Sequence, residues 1–424
     1  MDLVSKIKLS SDHDATSYDL RHIREQLRDQ FIEEATSSWR VVHTTSRFNR
    51  RVTCIEWHET YPHMVAFGSH AGDIHLCDTT NNKNDIFYKG VGFGHGSITH
   101  MTFSRRNPLH IYTTAVDGVF AKKDLEGKRS EVYLDTMDYK FWWTSFGISE
   151  GVMFVGGNTG NAVLLDSAGE TIYTYHRFHK GKIQHAEFCP ASENILVTSS
   201  NDKTATLWDL RTWGDSESPK PYAILKHEAP VNSAYFDPIH SSRLLTTAQN
   251  NKIRVYDSHN WDAPRLTMTH PHRQFQHMTH IKATWHPFYE DLCVIGRYPN
   301  SEDTNKKRCV DIIDLKKGVV AGQLYDPSMA QIMTVNQFNR FGDMLATGMG
   351  CNALLWSKQS PGCCQKDKSM FDGDVPLPNA NRSQRNNSRS SNNNRSNDKN
   401  NRKRKGDTDT CTKSKYFKKK KLQQ

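Results

Sequence analysis

The chain has 424 residues, 36% of them hydrophobic and 10% aromatic, with a formal net charge of +10. That suits a folded body with a polar appendage; no run approaches the roughly 18 apolar residues of a membrane helix, and nine scattered cysteines without a CxxC argue for reduced thiols over a disulfide framework. The charge is uneven: residues 361–424 hold 17 Lys and Arg against 6 Asp, while the first 360 hold 39 basic and 40 acidic side chains, so any polyanion site on the body must be a local patch.

The first residues, MDLVSKIKLSSDHD, lack the apolar stretch of a secretory signal. In YDLRHIREQLRDQFIEEATSSWRVV, Leu20, Ile23, Leu27 and Phe31 recur at steps of three, four and four. That is one apolar stripe on a helix, with charges elsewhere. The stripe packs either on the rim of the following domain or in a partner's groove, and the pattern alone leaves both open. Residues 1–45 are read as this helical segment.

Seven similar units follow over 46–358. They end at Asp78, Asp124, Asp166, Asp209, Asp257, Asp314 and Trp356, at steps of 46, 42, 43, 48, 57 and 42 residues. Each reads as an apolar-polar strand, a turn, a strand of small and β-branched residues, a tight polar turn and a strand ending in Asp. The turns Ala71-Gly72-Asp73, Asp117-Gly118 and Asn201-Asp202 join strand pairs. A period of 40–45 with a terminal Trp-Asp, spelled out at Trp208-Asp209, is the WD40 signature. The expected fold is all-β: a seven-bladed WD40 β-propeller, a ring that leaves no long sheet edge open. No long helical patterns intervene that would support a βαβ alternative.

Residues 359–424 form an Asn/Ser/Arg-rich tail with no apolar periodicity, read as disordered. Its clusters Arg402–Lys405 and Lys418–Lys421 are the kind that direct nuclear import or touch nucleic acid loosely. The expected location is the nucleus.

Enzyme motifs are missing: no GxSxG, no P-loop, no HExxH and no GxGxxG after a strand. The stretch HPHRQFQHMTH (270–280) holds four His, but no Cys is near and Asp and Glu are absent between Arg265 and Glu290, so neither a metal nor a cofactor is expected. Phe275 is the puzzle there, a large aromatic between two Gln on a connection between blades. It either folds back on the blade or stays out as a wedge of the kind that unstacks bases. Arg273, Lys282 and Arg297 would then supply phosphate contacts.

The chain resembles the family of small WD40 subunits of UV-damaged-DNA-binding complexes. The resemblance rests on HPHRQFQHMTHIKATWHP (270–287) with VIGRYP (294–299), and on FNRRVTCIEWH (48–58), GSITHMTF (96–103) and ATLWDLR (205–211). RLLTTAQNNKIRVY (243–256) and QLYDPSMAQIMTVNQFN (323–339) extend it over roughly residues 20–357. It implies that Phe275, Gln276 and His277 form a hairpin tip inserted into the minor groove of damaged double-stranded DNA. The lesion would be flipped into a shallow pocket holding Trp142, with Gln249 near it. Arg51, Lys182, Arg273, Arg297 and Tyr298 would contact the DNA backbone. On the same resemblance, Trp208, Asp209 and Arg211 would face the large multi-propeller adaptor subunit of a cullin–RING ubiquitin ligase. Ile23, Leu27 and Phe31 of the helix would join them. Such a protein is not itself an enzyme. It starts nucleotide-excision repair as the ligase's substrate receptor, with histones and nucleosomes as further candidate partners. Two positions depart from the family pattern: His70 where a Lys is usual, and Ala248 where an Asp precedes Gln249. The competing readings are a WD40 scaffold or histone-binding ligase adaptor without lesion recognition, and an RNA-binding propeller driven by the tail.

Overall fold

In the computed structural model the described residues are 17–45, 47–81, 84–90, 96–126, 130–136, 140–213, 219–272, 279–298, 307–327, 329 and 331–358, with side chains from residue 22 onward. The tail and residues 273–278, which include Arg273, Phe275, Gln276 and His277, lie outside them. The described chain forms seven four-stranded antiparallel sheets, as the repeat length implies.

Six sheets are each built from four strands consecutive in sequence; Val52–Trp57, Met64–Ser69, Ile74–Asp78 and Ile86–Tyr88 make the first. The seventh takes three strands from the end of the body, Met333–Phe338, Met344–Met349 and Asn352–Lys358. Its outer strand comes from the start of the chain, Trp39–Thr45. Trp39 pairs with Lys358 and Thr45 with Ala353, with one bulge between Val41 and His43. The propeller therefore begins before residue 46, and the last seven residues of the N-terminal segment are a strand that closes the ring.

The first strand of each blade lines the central channel, and neighbouring inner strands bond directly: Thr99 Oγ1 donates to the Trp143 carbonyl, and Thr284 Oγ1 to that of Asn336. Apolar layers fill the space between blades. Ala346, Ala353 and Leu355 of the last blade pack with Val52, Ile55, Val65 and Phe67 of the first. Antiparallel order gives the ring two ends. At the entry end lie the starts of inner strands, the turns between second and third strands, and the connections between blades. The remaining turns lie at the exit end.

The helix, α1, spans Ser17–Ser38. Its C-terminal half packs on its own propeller. The Phe31 ring meets Trp39, His286, Tyr289 and Phe338 with centroids 4.7–6.2 Å apart. Buried Arg28 lies 3.9 Å from Asp314, and Glu34 pairs with Lys358 at 3.1 Å. The approach is close because blade six offers no side chain at Gly322, where a Cβ would stand 2.4 Å from Thr36 Cγ2. Phe31, grouped above with Ile23 and Leu27 as a partner-docking residue, packs on the chain's own propeller. Ile23 and Leu27 remain half-buried toward the N-terminal side. No described helix is long and apolar enough to cross a membrane.

Gly322→Val should push α1 off blade six and lower stability by about 1–3 kcal/mol, the usual cost of forcing volume into a packed contact. Denaturant unfolding with limited proteolysis of the helix checks this; unchanged stability and protection would show that the helix does not depend on that contact.

Candidate nucleic-acid interface

In six blades the inner strand carries a β-bulge at its second residue, seen as a register shift between first and third positions. A bulge re-aims one side chain. The bulged residues are Thr53, Thr99, Thr144, Gln184, Asn232 and Thr334, every one polar. The sixth blade has Lys282 at the equivalent place between buried Ile281 and Ala283. The channel mouth at the entry end is therefore a seven-membered polar ring with a single charge in it. Thr53, Thr99, Thr144, Gln184 and Lys282 line one narrow pocket there together with Lys182.

The two lysines dominate this mouth electrostatically. Desolvation pushes Lys182 down to about 8. Lys282 is pushed down to about 8 by desolvation and then by the charge of Lys182. Neither forms an ion pair among the described residues. Two ammonium groups held together without a carboxylate are costly in the free protein, and an incoming anion would offset that cost.

Trp142 stands immediately before the inner strand of blade three. Its backbone is clamped on Asn158, whose Oδ1 accepts from the Trp142 N–H and whose N–H donates to the Trp142 carbonyl. The core role of the Phe-Trp-Trp run falls to Trp143, 3% exposed, while Trp142 is half-buried at the rim. Its indole Nε1 is buried with no partner among the described residues, a donor left over at the mouth. Gln249 is fixed on the neighbouring rim, donating Nε2 to Asn232 Oδ1 at 3.0 Å. Ala248, where the family pattern has Asp, lies in a strand, and its carbonyl is bonded to His272 Nε2 at 2.8 Å. Arg51 is half-buried, and burial lowers its guanidinium from the usual value. His70 beside it is lowered by burial and then by the Arg51 charge, so it adds no cation at neutral pH.

The His-rich loop resolves into anchors and a tip. His270 and His272 are both 1% exposed. His270 Nε2 bonds Asp311 Oδ2 at 2.8 Å, and the His270 and His272 Nδ1 atoms are 3.3 Å apart. Burial, then the neighbouring His270, pushes His272 down to about 3, so it is neutral. Arg297 Nε donates to the same Asp311 oxygen at 2.7 Å. Burial alone would raise Asp311, but His270 and Arg297 hold it below the ordinary carboxylate range. Tyr298 N–H bonds the Pro271 carbonyl at 2.8 Å. Arg297 and Tyr298, expected on DNA phosphates, thus first tie the stem that precedes 273–278 to blade six. Sequence reading missed Asp311 as the hub. Its only signal was an acidic residue in the middle of an apolar strand, VDIID.

In the fourth blade, Trp208 is 5% exposed. Its Nε1 donates to Thr198 Oγ1, which also bonds His179 Nε2, while His179 Nδ1 bonds Asp202 at 2.8 Å. Burial would raise Asp202, yet His179 and Thr204 lower it to about 2. Trp208, expected at the docking face, is part of a strand-pinning network. Asp209 caps the short turn Leu210–Thr212 and is gripped by the Arg211 fork at 2.9 and 2.7 Å. Of the three, Arg211 is the exposed one, a pre-formed cation on the face opposite the lysine mouth.

The WD domain, G-beta repeat family matches residues 169–209, the blade that carries this network. The chain is similar to DNA damage-binding protein 2 of Danio rerio, 42% identical over 80% of this chain and 67% of that one. It is also similar to DNA damage-binding protein 2 of Mus musculus, 38% identical over 81% of this chain and 79% of that one. DNA damage-binding protein 2 of Oryza sativa is 29% identical over 76% of this chain and 57% of its own length.

Asp311→Ala strips the carboxylate from buried His270 and half-buried Arg297. The expected loss is about 3–5 kcal/mol, the range for breaking a buried pair, together with faster amide exchange in the stem at 270–272. A variant as stable as the parent would show that Asp311 is not the hub.

Proposed function

The chain belongs to the DNA damage-binding protein 2 family, and on that premise we propose that it binds UV-damaged duplex DNA at the entry end of the propeller. The observation that carries the reading is the mouth: a polar ring with two lysines and a rim tryptophan donor that have no partner among the described residues, beside the anchored His270–His272 stem. Phe275 wedges into the minor groove from that connection, with Gln276 and His277 bonding the bases left unpaired. The lesion turns out toward Trp142, where the indole face stacks and Nε1 donates. Unstacking costs a few kcal/mol per step and costs least where damage has already weakened the pair, which by itself favours lesions. Arg51, Lys182, Lys282 and Arg273 supply backbone contacts.

The exit end serves a second role. Arg211, with Ile23 and Leu27 on the exposed part of α1, docks the large adaptor subunit of a cullin–RING ligase. The protein acts by binding: it brings the ligase to damaged chromatin, with histones among its targets, and so starts nucleotide-excision repair. The basic tail directs it to the nucleus.

The direct test is affinity for a duplex with one photodimer and for the same duplex undamaged, at fixed salt. Damaged DNA should bind at least about tenfold tighter, near 1.4 kcal/mol, and Phe275→Ala should remove that preference. Equal affinity for both duplexes would support a scaffold instead, and binding lost only on deleting 361–424 would support tail-driven nucleic-acid contact.

The lysines give a pH signature. At about 8 both are charged at neutral pH and lose charge as pH rises, so affinity should fall from about pH 7 to 9, below the ordinary Lys range near 10.4. Lys182→Arg with Lys282→Arg keeps the charge and should flatten the fall. Stability runs the other way: the depressed ammonium groups cost folding free energy at neutral pH, and that cost is relieved as pH climbs from about 8 toward 10.4. A parallel fall in both proteins would remove the lysines from the interface.

A further inference from the structure

The ring closes where the N-terminal strand of the seventh blade meets the first blade, and a second cluster of chemistry-bearing side chains lies there, away from the DNA-binding mouth. His43 comes from the closing strand Trp39–Thr45. Cys77 comes from the third strand of blade one, Ile74–Asp78. Asp85 precedes that blade's outer strand, Ile86–Tyr88. One donor atom from each lies within 4.8 Å of the other two. We propose that His43, Cys77 and Asp85 bind a zinc ion that fastens the closing strand to the first blade.

The donor set is borderline-soft: an imidazole nitrogen, a thiolate sulfur and a carboxylate oxygen. That combination selects zinc over magnesium or calcium, which take oxygen cages. The charge balances, since a thiolate and a carboxylate offset Zn2+ and leave a neutral site fit for burial. On binding, the thiol proton leaves to solvent and the Zn–S bond forms in its place. Cys77 is fully buried, with its thiol raised to about 12 by burial and then by Asp85, so without metal it stays protonated against that carboxylate.

The surroundings are those of a supported site. His75, on the same face of the strand as Cys77, puts Nε2 3.2 Å from Asp85 Oδ2 and Nδ1 3.4 Å from Thr45 Oγ1. Asp85 Oδ1 accepts from the Asp78 N–H at 3.1 Å. Outer partners of this kind orient a ligating carboxylate. The rings of Phe48, Phe67 and Phe87 stand within 6.4 Å of the His75 ring and shield that side of the site. Arg47, half-exposed at 3.9 Å from Asp85, has solvent to move into. Zn–N and Zn–S bonds of about 2.0–2.3 Å require the three donors to draw in slightly. A water completes the tetrahedron.

The test uses the full chain, stripped of metal by chelator and refilled. Wild type should hold one more zinc per chain than Cys77→Ser or His43→Gln, a comparison that cancels any metal taken by the tail cysteines. Cobalt in place of zinc should give a sulfur-to-metal charge-transfer band that Cys77→Ser abolishes. His75→Gln should weaken zinc by at least about tenfold, and zinc should raise the melting temperature of wild type alone. His43 lies on the outer strand, so His43→Gln keeps the test open if Cys77→Ser does not fold. Folded variants that match wild type in zinc content and affinity would overturn the proposal, as would a wild type that takes up no zinc from excess.

Discussion

Everything in this molecule rests on the pairing of Trp39–Thr45 with Asn352–Lys358. Blades one to six are local, each folding from consecutive strands, whereas the seventh joins residues some 300 apart in the chain. That one non-local ladder turns a row of sheets into a ring, and only a ring has a channel with two distinct ends. Loop-closure entropy must be met before the ladder forms. The contacts at the seam have that character: the Trp57 indole bonds the Gln337 carbonyl at 2.9 Å, and the apolar layer runs unbroken from last blade to first. The helix adds a strap, with Phe31 inside an aromatic nest on blades six and seven.

Ring closure then sets the chemistry. Seven inner strands start at one end, so whatever occupies their second position forms a ring of side chains. Six neutral polar groups and Lys282 stand there, with Lys182 beside them. The body carries almost no net charge, so the local lysine pair rather than a general field is what would draw a phosphate backbone. At the exit end the charges are mostly spent inside the protein: Asp209 on Arg211, Asp314 on Arg28. The ends differ in kind, one with unbalanced positive charge around a hole and one with closed pairs and an exposed guanidinium.

The repeat period was fully legible in the sequence, because each blade is a local unit that must end in the same way. Finer roles were not. Trp142 and Trp143 are adjacent and chemically equal on paper; strand alternation sends Trp143 inward and leaves Trp142 at the rim. Four histidines within eleven residues suggest one function, yet His270 and His272 are buried stem anchors because Asp311, some 40 residues away, waits in the next blade. Phe31 fits a partner-facing stripe equally well until Gly322 opens a place for the helix. His43, Cys77 and Asp85 converge only after ring closure, so no local spacing could announce them. Residues 273–278, which hold the Phe-Gln-His triplet, fall outside the described structure.

The central claim is that DNA is held at the entry end and leaves the exit end free. Amide hydrogen exchange of the full chain, with and without a photodimer duplex, tests it most directly. The account predicts slowed exchange around Arg51, Trp142, Lys182, Gln249 and the stems from His270 to Tyr298, with no change in α1 or at Leu210–Thr212. Slowed exchange at α1 and Arg211 instead, with the channel mouth unaffected, would contradict it.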